Sequence, residues 1–141
     1  MSTMKVKQIA GALGAEISGV DLSKGVPASL AADIRKVFLE HQVIFLHDQN
    51  LTPQQFLAFA EAMGEPIEYP FVKGLDSFAH IIEVKKLEHE KVNFGGIWHS
   101  DTTYLDVPPW ALCCSRVKYR LTVATPCLPA STRPMRRYRA P

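Results

Sequence analysis

The run Trp98-His99-Ser100-Asp101 sets an imidazole and a carboxylate two residues apart. In an extended segment residues i and i+2 share a face, so His99 and Asp101 would point the same way while Ser100 points away. A nitrogen and a carboxylate oxygen converging on one point are two donors of the facial triad that holds non-haem Fe(II), in which the opposite positions stay free for substrate and oxygen. The third donor is a second histidine. Taken alone a His-x-Asp triplet is weak, since such triplets arise by chance on solvated loops, and the competing structural reading has His99 simply hydrogen-bonded in a core. Its neighbours strengthen it: Asn93-Phe94-Gly95-Gly96-Ile97 precedes the triplet, and Thr102-Thr103-Tyr104 and Pro108-Pro109 follow it.

The elements that would carry this segment are partly readable. Ile9 to Leu22 spaces glycines between short apolar runs, which suits strands joined by tight turns. The same glycines do not make a phosphate loop, because no Lys-Ser/Thr follows and the spacing fits neither nucleotide fingerprint. Between Ser29 and His41, Leu30, Ile34, Val37 and Phe38 fall at i, i+4, i+7 and i+8, the stripe of an amphipathic helix. Val43-Ile44-Phe45-Leu46 reads as a buried strand. A second helix is expected from Thr52 as N-cap, with Pro53 at its first position and Gln55 completing a capping box. Leu51 would be stapled to Phe56, and Phe56, Phe59, Ala60 and Met63 would face inward until Gly64 and Pro66 end the helix. Phe78 to Val84 resembles a further strand in which His80 is partly exposed, and Leu87 to Lys91 a charged connection. His41, His47 and His89 sit at element ends in polar surroundings and read as surface residues.

With 141 residues, 47% of them apolar, the chain has the material for one modest domain. No apolar run is long enough to cross a bilayer and the N-terminus lacks the apolar block of a secretory signal, so a cytoplasmic location is expected, with no membrane partner. The net charge of +2 conceals a split. Up to Pro109 nine basic residues face fourteen acidic ones, a net of −5; from Trp110 onward there are seven basic residues, no acidic ones and all three cysteines. A boundary near Pro109 follows.

From Ile9 to Pro109 the chain resembles the taurine dioxygenase (TauD/TfdA) family of Fe(II)- and 2-oxoglutarate-dependent oxygenases. Three segments in the right order carry the likeness: Gly11 to Leu22, His47-Asp48-Gln49-Asn50-Leu51-Thr52-Pro53, and Trp98 to Asp101. The resemblance implies a mostly β domain with flanking helices, a double-stranded β-helix of jelly-roll type that is incomplete here. It implies His99 and Asp101 as iron ligands, 2-oxoglutarate as co-substrate, O2 as oxidant, and release of succinate and CO2. The prime substrate would be a small organic molecule of the taurine, sulfonate, sulfate ester or aryloxyacid class. Tyr69, Phe71 and Asn93 are candidates for the substrate side, though surface packing explains them equally well.

After Pro109 the family pattern stops, so residues 1–109 read as the first half of the domain and 110–141 as a basic tail foreign to it. The distal histidine, the arginine that pairs with the far carboxylate of 2-oxoglutarate and a Gly-Gly-Asp-Thr run are missing. Shifting the reading frame restores part of this. Taking the third base of each codon with the first two of the next, Val123-Ala124-Thr125-Pro126-Cys127 becomes xGT, xGC, xAC, xCC and xTG, which can encode Gly-Gly-Asp-Thr-Leu. The tail is therefore expected to be a frame-shifted translation. Read instead as evolved sequence, Arg133 to Arg139 would be a basic nucleic-acid arm with Tyr138 stacking on bases, and Cys113, Cys114 and Cys127 a metal site, but adjacent cysteines lack the usual zinc spacing. No nucleic-acid partner is expected. The reading predicts weak iron binding and little turnover; the alternative is a non-catalytic binding fragment that forms a homo-oligomer through an uncovered strand edge.

Overall fold

The computed structural model describes residues 4–11, 13–85, 98–99 and 102–116. The chain divides into two units, the described part of the first ending at Asn50 and the second running from Leu51 to Arg116. The first unit is a three-stranded mixed sheet with one helix. Strand β1 (Lys5–Gln8) pairs antiparallel with β2 (Ala15–Ser18), which pairs parallel with β3 (Ile44–Leu46). Parallel neighbours need a crossover, and helix α1 (Ala28–His41) supplies it.

Each of these elements has a local cause. Gly14 holds φ +102° between β1 and β2, a conformation costly for any residue with a Cβ, and its carbonyl accepts the Ile9 N–H at 3.1 Å. The ladder is extended on the other side by Gly14 N–H to the His41 carbonyl (2.9 Å) and Ala15 N–H to the Val43 carbonyl (3.0 Å). Along β2 burial alternates, with Ala15 and Ile17 inside and Ser18 exposed. Helix α1 turns Ala31, Ile34 and Val37 inward, and Ile34 is completely buried. Leu30 and Phe38, expected on the same stripe, are half-buried at its margin. The helix ends with Gln42 in the left-handed region, its N–H bonded to the Phe38 carbonyl.

Two differences from the sequence reading stand out. Strand β1 was not anticipated, because all four of its residues are exposed and Lys-Val-Lys-Gln carries no buried face to betray it. The segment expected as a strand over Phe78–Val84 is a turn followed by irregular chain, with a single bridge between Leu75 and Phe78. Its backbone groups are spent locally: Leu75 N–H bonds to the Ile81 carbonyl (2.8 Å) and Ile81 N–H to the Phe78 carbonyl (2.9 Å), leaving those groups unavailable for a ladder. His80 is accordingly exposed in a turn.

In the second unit α2 (Pro53–Met63) begins as its sequence dictates. Thr52 N–H donates to Gln55 Oε1 (2.9 Å) and Gln55 N–H donates to Thr52 Oγ1 (3.3 Å), the reciprocal capping box. Phe59 and Met63 are buried, Phe56 and Ala60 half-buried. Gly64 closes the helix, and Trp110 packs over it so closely that a Cβ there would come within 2.9 Å of the indole Nε1. Further on, Cys113 is half-buried and Cys114 exposed. Helix exceeds strand among the described residues, and none of their helices is long and apolar enough to cross a membrane.

The Gln49 amide fastens the loop after β2 to the end of β3. Its Nε2 donates to the carbonyls of Val20 (3.0 Å) and His47 (2.8 Å), and its Oε1 accepts the Leu22 N–H (2.9 Å). Replacing it by leucine strands partly buried backbone groups, so Gln49→Leu should cost about 2 kcal/mol, read as a lower urea midpoint at unchanged slope. At the far end of the second unit, burial pushes the Cys113 thiol up from its ordinary range, with the neighbouring Cys114 charge adding to the effect. Because the thiolate is the nucleophile, iodoacetamide near pH 8 should label Cys114 before Cys113, and peptide mapping of a short pulse will show the order.

Candidate metal and substrate site

The His99–Asp101 motif belongs to the second unit. His99 is exposed, as is Trp98 beside it, which is 86% accessible. Asp101 and Asn93 fall outside the described residues, as does His89. Immediately after Asp101 the chain turns: the Thr102 carbonyl accepts the Leu105 N–H at 3.1 Å, and Thr102 is the one buried polar residue among those described. This turn follows the two donors directly and leaves Tyr104 facing water.

Tyr69 and Phe71, the proposed substrate-side residues, are brought together by the loop that follows α2. Their rings meet edge to face at 5.4 Å and 77°, the geometry in which a positive ring edge meets a negative ring face. Tyr104 joins them, its ring tilted 49° against Phe71 at 6.2 Å. The sequence reading did not assign Tyr104 to the site; the contact spans more than thirty residues of chain, and only its place three residues beyond Asp101 hinted at a role.

The loop itself borders an open groove of about 480 Å³ lined by residues 68–76 and Ala79. Gly74 makes its tight return possible, because a Cβ there would fall on the Ala79 carbonyl. Three charged residues line the groove: Glu68, Lys73 and Asp76. Lys73 Nζ bonds Asp76 Oδ1 at 2.7 Å, an exposed pair of little energetic weight, so the net formal charge of −1 is that of Glu68.

His41 and His47 belong to the first unit. His47 Nε2 approaches Glu16 Oε1 at 3.4 Å on the first unit's sheet, and Lys7 reaches the same carboxylate at 3.8 Å. His41, read from the sequence as a surface residue, has a side chain only 14% exposed in the last turn of α1. A cationic or polar ring at a helix C-terminus is favoured by the carbonyls gathered there. Among the described residues no group of three His, Cys, Asp or Glu side chains could hold a metal ion. An imidazole and a carboxylate, as in the His99–Asp101 pair, are donor types that suit iron.

Comparison with known proteins gives these features a context. Residues 5–117 match the family described as taurine catabolism dioxygenase TauD, TfdA family. The chain is 33% identical over 107 residues to an alkylsulfatase of Acinetobacter baylyi, covering 75% of this chain and 33% of that protein. It is 32% identical over 109 residues to an alpha-ketoglutarate-dependent sulfate ester dioxygenase of Pseudomonas putida, covering 77% and 35%. It thus spans about a third of the length of these relatives. The crystal structure of a taurine dioxygenase from Burkholderia xenovorans superposes with a TM-score of 0.50 at 33% identity, over 55% of this chain and 28% of that one. With one family match covering most of its residues, the chain belongs to the TauD/TfdA dioxygenase family.

Proposed function

We propose that this chain carries the first part of an Fe(II)- and 2-oxoglutarate-dependent dioxygenase that acts on a sulfate ester or sulfonate, releasing succinate and CO2. The observation that carries the reading is the position of His99 and Asp101 inside the family match of residues 5–117. The names of the two relatives support the substrate class. The small mixed sheet would be the opening portion of a double-stranded β-helix.

In this reading His99 would offer a neutral imidazole nitrogen and Asp101 an anionic oxygen to one metal. Bound iron would activate O2 for attack on a C–H bond, with 2-oxoglutarate as the source of electrons. The protein's own part would be to hold the two donors together just before the turn at Thr102–Leu105. Tyr69, Phe71 and Asn93 remain the proposed substrate side. Residues 110–141 are, on this proposal, the family continuation read in a shifted frame, so that the third ligand and the keto-acid arginine are not encoded in them.

The 141-residue chain should therefore bind Fe(II) weakly and turn over little. Anaerobic calorimetric titration with Fe(II) should show weak binding that His99→Ala and Asp101→Ala each reduce at least about 10-fold. Binding unchanged in both variants would remove the site. Succinate formation from 2-oxoglutarate should be low for this chain and rise when the frame after Pro109 is restored; robust turnover by the unaltered chain would refute the inactivity.

A further inference from the structure

Strand β1 lies at one side of the first unit's sheet, and among the described residues no strand pairs with its outer edge. We propose that this edge is an interaction surface for an extended segment of another polypeptide, one that carries carboxylates at alternate positions with apolar residues between them.

The ladder fixes which backbone groups are on offer. Ile9 N–H donates to the Gly14 carbonyl at 3.1 Å, and in an antiparallel pair such bonded residues alternate with unbonded ones. Continuing that register, Lys7 opposite Glu16 and Lys5 opposite Ser18 turn their backbone groups toward β2. The N–H and C=O groups of Val6 and Gln8 therefore aim outward. Ala15 N–H, bonded to the Val43 carbonyl on the far side of β2, keeps the same alternation. Outward donors and acceptors in a row are the template on which an added strand builds, main-chain bonds supplying affinity and alternate side chains supplying specificity.

The two faces of this edge ask for different side chains, because a residue added to a sheet shares a face with the residue it opposes. On one face stand Lys5 and Lys7, both exposed. Lys7 Nζ lies 3.8 Å from Glu16 Oε2, an exposed contact of little energetic weight that leaves the ammonium group in reach of a further carboxylate. On the other face Val6, 42% exposed, borders a groove of about 420 Å³ between β1 and α1, with Met4 and Val37 beside it. The groove's charged residues apart from a neutral His41 are Asp33, Lys36 and Glu40, a formal net of −1, so a carboxylate is opposed there and an apolar side chain is favoured. The sequence that satisfies both faces is acidic, apolar, acidic, set against Lys7, Val6 and Lys5. That pattern reads the same in either strand direction.

NMR titration of the full chain with short capped peptides that alternate valine with glutamate, glutamine or lysine tests this. Each opposed charge pair is worth up to about five-fold in affinity, so the glutamate peptide should bind at least about 5-fold more tightly than the lysine peptide, with the glutamine peptide between them. Salt at about 0.5 M should erase the advantage of glutamate over glutamine. On binding, hydrogen exchange of the Val6 and Gln8 amides should slow several-fold while that of Lys5 and Lys7, already in the ladder, changes little, a readout that needs no variant to fold. The double variant Lys5→Gln, Lys7→Gln should lose the preference for glutamate and keep its affinity for the glutamine peptide. A peptide of the same composition with its valines and glutamates in two blocks should bind at least about 5-fold more weakly than the alternating one. Equal affinity for the glutamate and lysine peptides at low salt, equal affinity for the block and alternating peptides, or unchanged exchange at Val6 and Gln8 would overturn the proposal. So would concentration-dependent protection of those two amides in the chain alone, which would assign the edge to a second copy.

Discussion

The parallel pairing of Ala15–Ile17 with Ile44–Leu46 is the constraint on which the first unit rests. It joins segments some thirty residues apart, so the entropy of closing that loop must be offset before any ladder bond contributes. Burial of Ala15, Ile17 and Ile34 offsets it, since the crossover helix that makes the parallel pairing possible also covers the sheet's apolar face. Strand β1 pairs with the other edge of β2, and Gln49 secures the loop that leaves β2. Removal of the helix's inner face would take away burial that drives the pairing.

How far the sequence disclosed this depends on whether each cause is local. The α2 start was readable to the residue because Thr52, Pro53 and Gln55 act on one another within a single turn. Strand β3 was readable because Ile44-Phe45-Leu46 is short, apolar and partly β-branched, but it is not the buried strand expected: Ile44 and Leu46 are half-buried and Phe45, alternating to the other face, is exposed. The apolar Phe78–Val84 run misled because composition alone does not reveal that Gly74 brings its chain against the Ala79 carbonyl and spends the backbone bonds in a turn. Among the site residues, the His99–Asp101 spacing is a local fact and was legible. The meeting of Phe71 with Tyr104 is a tertiary fact, and nothing in either residue's neighbourhood announces it.

The two halves of the proposed site also differ in what they demand of the chain. A metal centre needs three donors within a few tenths of an ångström, so losing one removes most of its chemistry. A hydrophobic surface is graded, and each ring contributes in proportion to the area it covers.

Strand β1 has a last implication. Its outer edge pairs with no other strand among the described residues, and all four of its side chains are exposed, with lysines at two of the four positions. A second copy laying its own β1 alongside would bring four ammonium groups together on a few ångströms of ladder. Like charges facing one another across strands are destabilising, so these lysines disfavour edge-to-edge pairing of two copies. A strand carrying carboxylates would meet this edge on better terms, and salt would weaken that advantage.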